Sequence, residues 1–149
     1  MRDIGIGGPA RLGLIRGALV HDIGKAQIPV EILDKPTVLS AAELIMMRQH
    51  PAYGRRFLTK HHGGEAGLIE IVYLHHEYLD GSGYPLGLKG SAISDAVRIT
   101  TLCDIYSALT EPRAYKRAYS GEEAYDVMTR MDGKLDPDLL RVFAPLAMR

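Results

Sequence analysis

Glycines and prolines recur so often along this 149-residue chain, 16 and 8 of them, that no element runs far before a breaker ends it. Between the breakers, apolar residues recur at helical rather than alternating spacing, and no segment reads as a strand. Pro9 suits the first turn of a helix through Leu12, Leu14, Ile15, Ala18 and Leu19, ending around His21-Asp22-Ile23-Gly24. Pro29 starts a single turn. Ser40 with Glu43 has the spacing of a capping box that opens a helix toward Gln49, and Pro51 starts the next. After Gly63-Gly64, the run Leu68, Ile69, Ile71, Val72 and Leu74 predicts a helix carrying His75 and His76 near its C-terminal end. Asp80 to Ser94, with Gly81, Gly83, Pro85, Gly87 and Gly90, is a long loop. Ser94 caps a helix through Leu109, Ser120 with Glu123 repeats the capping-box spacing, and Pro137 opens a last helix. The expected fold class is all-α: a compact helical bundle with one long Gly/Pro-rich loop.

The length suits one core, hence one domain over residues 1–149. Apolar residues at 46% and charged residues at 24% fit a globular chain rather than a disordered one. Lys plus Arg equals Asp plus Glu at 18 each, so the overall field favours neither nucleic acid nor an anionic membrane surface. A single cysteine, Cys103, excludes an internal disulfide framework, and no apolar run is long enough to span a bilayer. A reducing, cytoplasmic setting is the expectation.

The chemistry gathers where polar residues interrupt apolar helices. Asp104 lies among Val97, Ile99, Leu102, Cys103, Ile105, Tyr106 and Ala108, so its helix is expected to be central and its carboxylate to be paired or to bind metal. His21-Asp22 follows another apolar helix. His50-Pro51 and the adjacent His75-His76 add three imidazoles at helix ends. Such N/O donors suit Fe, Mn, Zn or Ni, and the lack of cysteine ligands excludes a zinc finger. His61 and His62 precede Gly63-Gly64 in a polar stretch and read as solvated surface.

Taken together, His21-Asp22-Ile23-Gly24-Lys25, His50-Pro51, His75-His76-Glu77, Asp80-Gly81-Ser82-Gly83-Tyr84-Pro85 and Asp104-Ile105-Tyr106-Ser107-Ala108-Leu109-Thr110 resemble the HD-GYP family, within the HD phosphohydrolase superfamily, in order and spacing. The resemblance covers nearly the whole chain. It implies a helical domain of the HD type holding two or three divalent ions, usually iron or manganese. The implied activity is hydrolysis of cyclic di-GMP to pGpG or GMP by a hydroxide bridging the metals. His21, Asp22, His50, His75, His76 and Asp104 match the family's metal ligands, with Asp22 implied to bridge two ions. Lys25 matches the family lysine aimed at the phosphate, and Asp22 and Lys25 are the implied catalytic pair. Arg113 and Lys116 match a pair that contacts the ligand's phosphates. Gly83, Tyr84 and Pro85 hold the signature position, where Tyr84 can present a hydroxyl or ring face to the nucleotide. Glu77, Cys103 and Arg117 read as packing or supporting residues.

The family also carries a helix before the His-Asp motif whose Glu and His complete the metal site, and residues 1–8 hold neither residue type. An N-terminally shortened domain, a two-metal rather than a three-metal centre, and an upstream receiver or sensor domain are therefore expected. So is apolar surface left exposed, which favours a homo-oligomer. A non-catalytic module that binds cyclic di-GMP or docks GGDEF-domain proteins is the alternative function, and a hydrolase of another nucleotide is a third.

Overall fold

The computed structural model describes residues 7–61, 65–112 and 117–148. Among them it shows α1 (Gly8–Val20), a 3-10 turn (Ile23–Gln27), α2 (Val30–Leu33), α3 (Ala41–Met47) and α4 (His50–His61). These are followed by α5 (Ala66–Leu74), a second 3-10 turn (Gly90–Ala92), α6 (Asp95–Thr110), α7 (Gly121–Thr129) and α8 (Pro137–Ala147). No strand occurs among the described residues, and an isolated antiparallel bridge pairs Asp80 with Lys89. No described helix is long and apolar enough to cross a membrane.

The helix starts follow the sequence signals. Ser40 and Ser120 each accept from the backbone N–H of Glu43 and Glu123, and each glutamate carboxylate accepts the serine N–H in return, at 2.7 and 2.8 Å. These reciprocal bonds satisfy donors that the first turn of a helix leaves unpaired. Ser94 caps α6, and Asp136 caps α8 with Pro137 behind it. α3 stops at Met47 rather than reaching Gln49, and α4 begins at His50 with Pro51 in its first turn. The expected break at Gly63-Gly64 and His62 lie outside the described residues; His61 is exposed at the end of α4, its ring 4.9 Å from Phe57.

Three apolar clusters hold the helices together. Ile71, Leu74, Ile93 and Val97 join α5 to α6, with Leu14 of α1 packed on them. Leu58, Leu68 and Val72 join α4 to α5, and Leu102, Met128, Leu135 and Leu139 join α6 to the C-terminal helices. α5 contributes to two of the three, and Ile71 and Val72 are essentially inaccessible. α6 likewise contributes to two of the three, through Val97 and Leu102, but it is not buried all round as its residue types suggest. Only one side of the C-terminal half of α6 is covered, and Cys103 and Ser107, one turn apart, are exposed. Residue types that are apolar all round a helix state what can be buried, whereas the number of packed neighbours decides what is. On α1, Leu12, Ile15 and Leu19 are 58, 50 and 80% exposed, an outward apolar stripe.

Two backbone contacts bring the site-bearing elements together. A Cβ built on Gly24 would lie 1.9 Å from the His50 carbonyl oxygen and 2.5 Å from the Gly54 nitrogen, so the 3-10 turn rests directly on the backbone of α4. One on Gly17 would lie 2.5 Å from Ile71 Cδ1, which sets the approach of α1 to α5. Gly24 permits an approach to backbone that any side chain would prevent, and a Cβ at Gly17 would force Ile71 to shift. Gly24→Ala is expected to lower unfolding free energy by about 3 kcal/mol. Gly67→Ala, where the added Cβ meets nothing within 4 Å, should instead raise it by about 0.5 kcal/mol. Urea unfolding of the two variants checks both signs.

Candidate metal centre

Three of the site histidines stand just past a helix end, and each does the same thing there. The Nδ1–H groups of His21, His50 and His75 donate to the carbonyls of Ala18, Met47 and Val72, at 2.6, 2.8 and 3.0 Å. In every case the acceptor lies three residues earlier, in the last turn of α1, α3 or α5, where carbonyls lack helical partners. A carbonyl oxygen only accepts, so the proton sits on Nδ1, and in the neutral ring the Nε2 lone pair points away from the helix.

Those lone pairs converge. His50 Nε2 lies 3.2 Å from His75 Nε2 and 3.2 Å from His76 Nε2. Asp22 Oδ1 is 3.2 Å from His50 Nε2 and 3.8 Å from His75 Nε2. It is buried and has no hydrogen-bond partner among the described residues. An acceptor facing acceptors in a buried site is repulsive until a cation enters, so these groups fit a metal ion. On the other side of Asp22, His21 Nε2 lies 3.4 Å from Asp22 Oδ2 and 3.5 Å from Asp104 Oδ1. The potential ligand atoms fall into two groups, each spanning at most 4.8 Å: Asp22, His50, His75 and His76 in one, His21, Asp22 and Asp104 in the other. Asp22 belongs to both. All six residues read from the sequence as ligands are therefore gathered, and their N/O donor set suits first-row divalent ions.

The charges respond to this crowding. Hydrogen bonding to Asp104 and then to Asp22 lifts His21 to about 10, against the opposing effect of burial. Burial, then the neighbouring imidazoles, pushes His75 down to about 4 and His76 down to about 3. Burial alone would raise both carboxylates, yet His21, joined at Asp22 by His50 and Lys25, holds them below the usual carboxylate range. The Lys25 ammonium lies 2.5 Å from Asp22 Oδ2, at the rim of the centre.

The loop over the centre is fixed by Glu77, which the sequence marks as a packing or supporting residue. Glu77, 2% exposed, accepts from the backbone N–H groups of Leu86, Gly87 and Leu88 at 2.6, 3.1 and 2.9 Å. Gly83 is pressed against the backbone of residues 76–78, since a Cβ there would lie 2.4 Å from Tyr78 N and 2.5 Å from His76 O. Tyr84 N–H donates to that same His76 oxygen at 3.1 Å, and Pro85 follows through a cis peptide bond. The Tyr84 ring stacks on His76, centroids 4.7 Å apart and planes within 20°. Arg48, absent from the sequence reading, has its guanidinium over the same ring at 5.2 Å. Nothing in its local sequence marks it, because its relation to Tyr84 is purely tertiary. Arg113 and Lys116 lie outside the described residues.

Comparison with known proteins shows the family of the chain. The sequence model of the HD domain family matches residues 7–139. The chain is 39% identical over 125 residues to a cyclic di-GMP phosphodiesterase of Pseudomonas aeruginosa, covering 84% of this chain and 30% of that protein. It is 39% identical over 131 residues to a cyclic di-GMP phosphodiesterase of Thermotoga maritima, covering 87% and 36%. A 3′3′-cGAMP-specific phosphodiesterase of Vibrio cholerae is 36% identical over 143 residues, covering 95% and 33%. The chain thus spans about a third of the length of these curated relatives. In structure it is similar to an HDG"Y"P protein from Bdellovibrio bacteriovorus, with a TM-score of 0.78 at 21% identity, over 98% of this chain and 47% of that one, a likeness of fold.

Two outcomes follow from the geometry. With its raised pKa, His21 is an imidazolium in the metal-free chain at neutral pH, so a metal must displace its proton. Loading is expected to release roughly one proton per chain, and affinity to rise about tenfold per pH unit below about 10. Calorimetric metal titration in buffers of different ionisation enthalpy reads both. Separately, Glu77→Gln replaces an acceptor-only group by one that turns a donor toward backbone N–H groups, and is expected to cost about 2 kcal/mol, measured by denaturant unfolding.

Proposed function

Because the chain belongs to the HD domain family, we propose that it is a metal-dependent phosphodiesterase that hydrolyses cyclic di-GMP. Water is added across a 3′–5′ phosphodiester to give pGpG, and a second hydrolysis gives GMP. The observation that carries this reading is the position of Asp22, shared by two groups of converging ligands. The names of the relatives in P. aeruginosa and T. maritima supply the substrate.

In this reading His21, Asp22 and Asp104 hold one ion, and Asp22, His50, His75 and His76 hold another. Iron or manganese is the first choice for two such sites. Bound divalent ions supply Lewis-acid charge to phosphate oxygens and lower the pKa of water. The chain's own residues prepare for this. The backbone carbonyls of Ala18, Met47 and Val72 fix three imidazoles with Nε2 inward. Lys25, already on Asp22 Oδ2 and 40% exposed, carries a compact positive charge to a non-bridging phosphate oxygen. Arg113 and Lys116 remain proposed phosphate contacts, and the Gly83-Tyr84-Pro85 loop a proposed wall for the nucleotide. One domain over residues 1–149, a cytoplasmic location, an upstream receiver or sensor domain, self-association and docking of GGDEF-domain proteins belong to the same proposal.

A second reading, hydrolysis of 3′3′-cGAMP, is favoured by the V. cholerae relative that matches over 95% of this chain. The two substrates differ in one base and share their phosphodiester ring, so turnover of each in parallel decides between them.

Metal content by elemental analysis on anaerobically purified protein, followed by turnover with added Mn or Fe, tests the proposal. About two ions per chain and measurable hydrolysis are expected. Asp22→Ala and Asp104→Ala should lose metal and at least about 100-fold in activity together. Activity retained by metal-free Asp104→Ala protein would refute the mechanism. Tight cyclic di-GMP binding without turnover by metal-loaded protein would show a binding module instead.

A further inference from the structure

A cyclic dinucleotide carries two phosphodiesters, and a metal centre engages the one being cut. The other is a full negative charge held by a rigid ring at a fixed remove from the first. It approaches a site whose own side chains include the carboxylates of Asp22 and Asp104, so it needs a separate cation outside the metal ligands.

Arg48 has the right position and state for that role. It closes α3 as its C-cap, two residues before His50, and is exposed. Its guanidinium lies over the Tyr84 ring at 5.2 Å, and that ring stacks on His76 at 4.7 Å. One aromatic ring therefore separates the cation from a metal-site imidazole. The guanidinium makes no ion pair or hydrogen bond to the described residues, in contrast to Arg98, whose side chain is spent on Asp136, Ile93 and Gly90. A guanidinium resting on an aromatic face is oriented without using its N–H edge, which stays free for two phosphate oxygens. The platform is itself immobile: Gly83 is wedged against residues 76–78, Tyr84 N–H is bound to His76, and Glu77 clamps the backbone that follows.

We propose that Arg48, seated on Tyr84, is the subsite for the phosphodiester that is not being cut, and so selects cyclic dinucleotides over substrates with one phosphodiester. This inference rests on the preceding reading of the site as a cyclic-dinucleotide hydrolase.

The test compares two substrates on metal-loaded protein: cyclic di-GMP, and bis(p-nitrophenyl) phosphate, which has one phosphodiester. For Arg48→Gln, kcat/KM toward cyclic di-GMP should fall about 10- to 100-fold, mainly through KM. The loss should exceed that toward the single diester by at least about tenfold. Arg48→Lys keeps the charge but not the fork and should recover part of the loss. Tyr84→Leu, which removes the ring that orients Arg48, should reproduce the Arg48→Gln discrimination. Equal losses on both substrates, or no loss on cyclic di-GMP, would overturn the proposal. If wild-type protein cleaves the single diester but not cyclic di-GMP, the preceding reading fails. The subsite is then judged by calorimetric binding of cyclic di-GMP, where equal affinity of wild type and Arg48→Gln, or no binding by either, removes it.

Discussion

The hydrogen bond from an imidazole Nδ1 to the carbonyl three residues before it is made by His21, His50 and His75, and the rest of the centre depends on it. A helix ends with carbonyls that have no helical donor, and a histidine placed just past the end supplies one. The same bond fixes the tautomer and turns Nε2 away from the helix. Three helices that end toward the centre therefore turn three Nε2 atoms into it, those of His50 and His75 in one ligand group and that of His21 in the other, with Asp22 between them. Helix termination and ligand orientation are a single event in this chain.

Convergence of the helix ends has its own cause. α5 buries Leu68, Ile71, Val72 and Leu74 and serves as a post against which α1, α4 and α6 pack. Gly24 lets the turn carrying His21 and Asp22 lie on the backbone of α4 at His50 and Gly54, and Gly54 in turn admits Val72 of α5. Thr101 Oγ1–H donates to the His75 carbonyl at 2.7 Å, tying α6 to the end of α5 close to Asp104. The cost of the arrangement is electrostatic: two carboxylates and four imidazoles share a small, partly buried volume. The resulting shifts, His21 upward and His75 and His76 downward, mark a site arranged for cations rather than for the chain's own stability.

The loop following His76 shows how a flexible composition becomes a rigid wall. Its glycines allow the backbone to fold close, but it is the Glu77 carboxylate, accepting three consecutive N–H groups, that holds it there. Arg98 fastens the far end by bonding Gly90, Ile93 and Asp136 together. The wall then presents Tyr84 as a platform between the metal-site histidine His76 and the cation of Arg48.

Much of this was legible along the chain, because capping boxes, proline starts and helix-end histidines are local and act within a few residues. Ser40 with Glu43, Ser94, Ser120 with Glu123, and Pro137 all open the helices they predict, and the six ligand candidates are drawn from helix ends or one helix face. The tertiary structure alone decided three things. It left Cys103 and Ser107 on the C-terminal half of α6 exposed, since burial depends on how many neighbours pack on a face and not on the face's residue types. It gave Glu77 its partners and Arg48 its ring, because those contacts join residues 9–11 and 36 positions apart that no periodicity links. And it set the distances at which Asp22, already implied as a bridge, reaches both ligand groups, 3.2 Å to His50 and 3.4 Å to His21. Residue type and order fix which groups can bind and which way each helix ends; only the packing of distant segments fixes how far apart those groups stand.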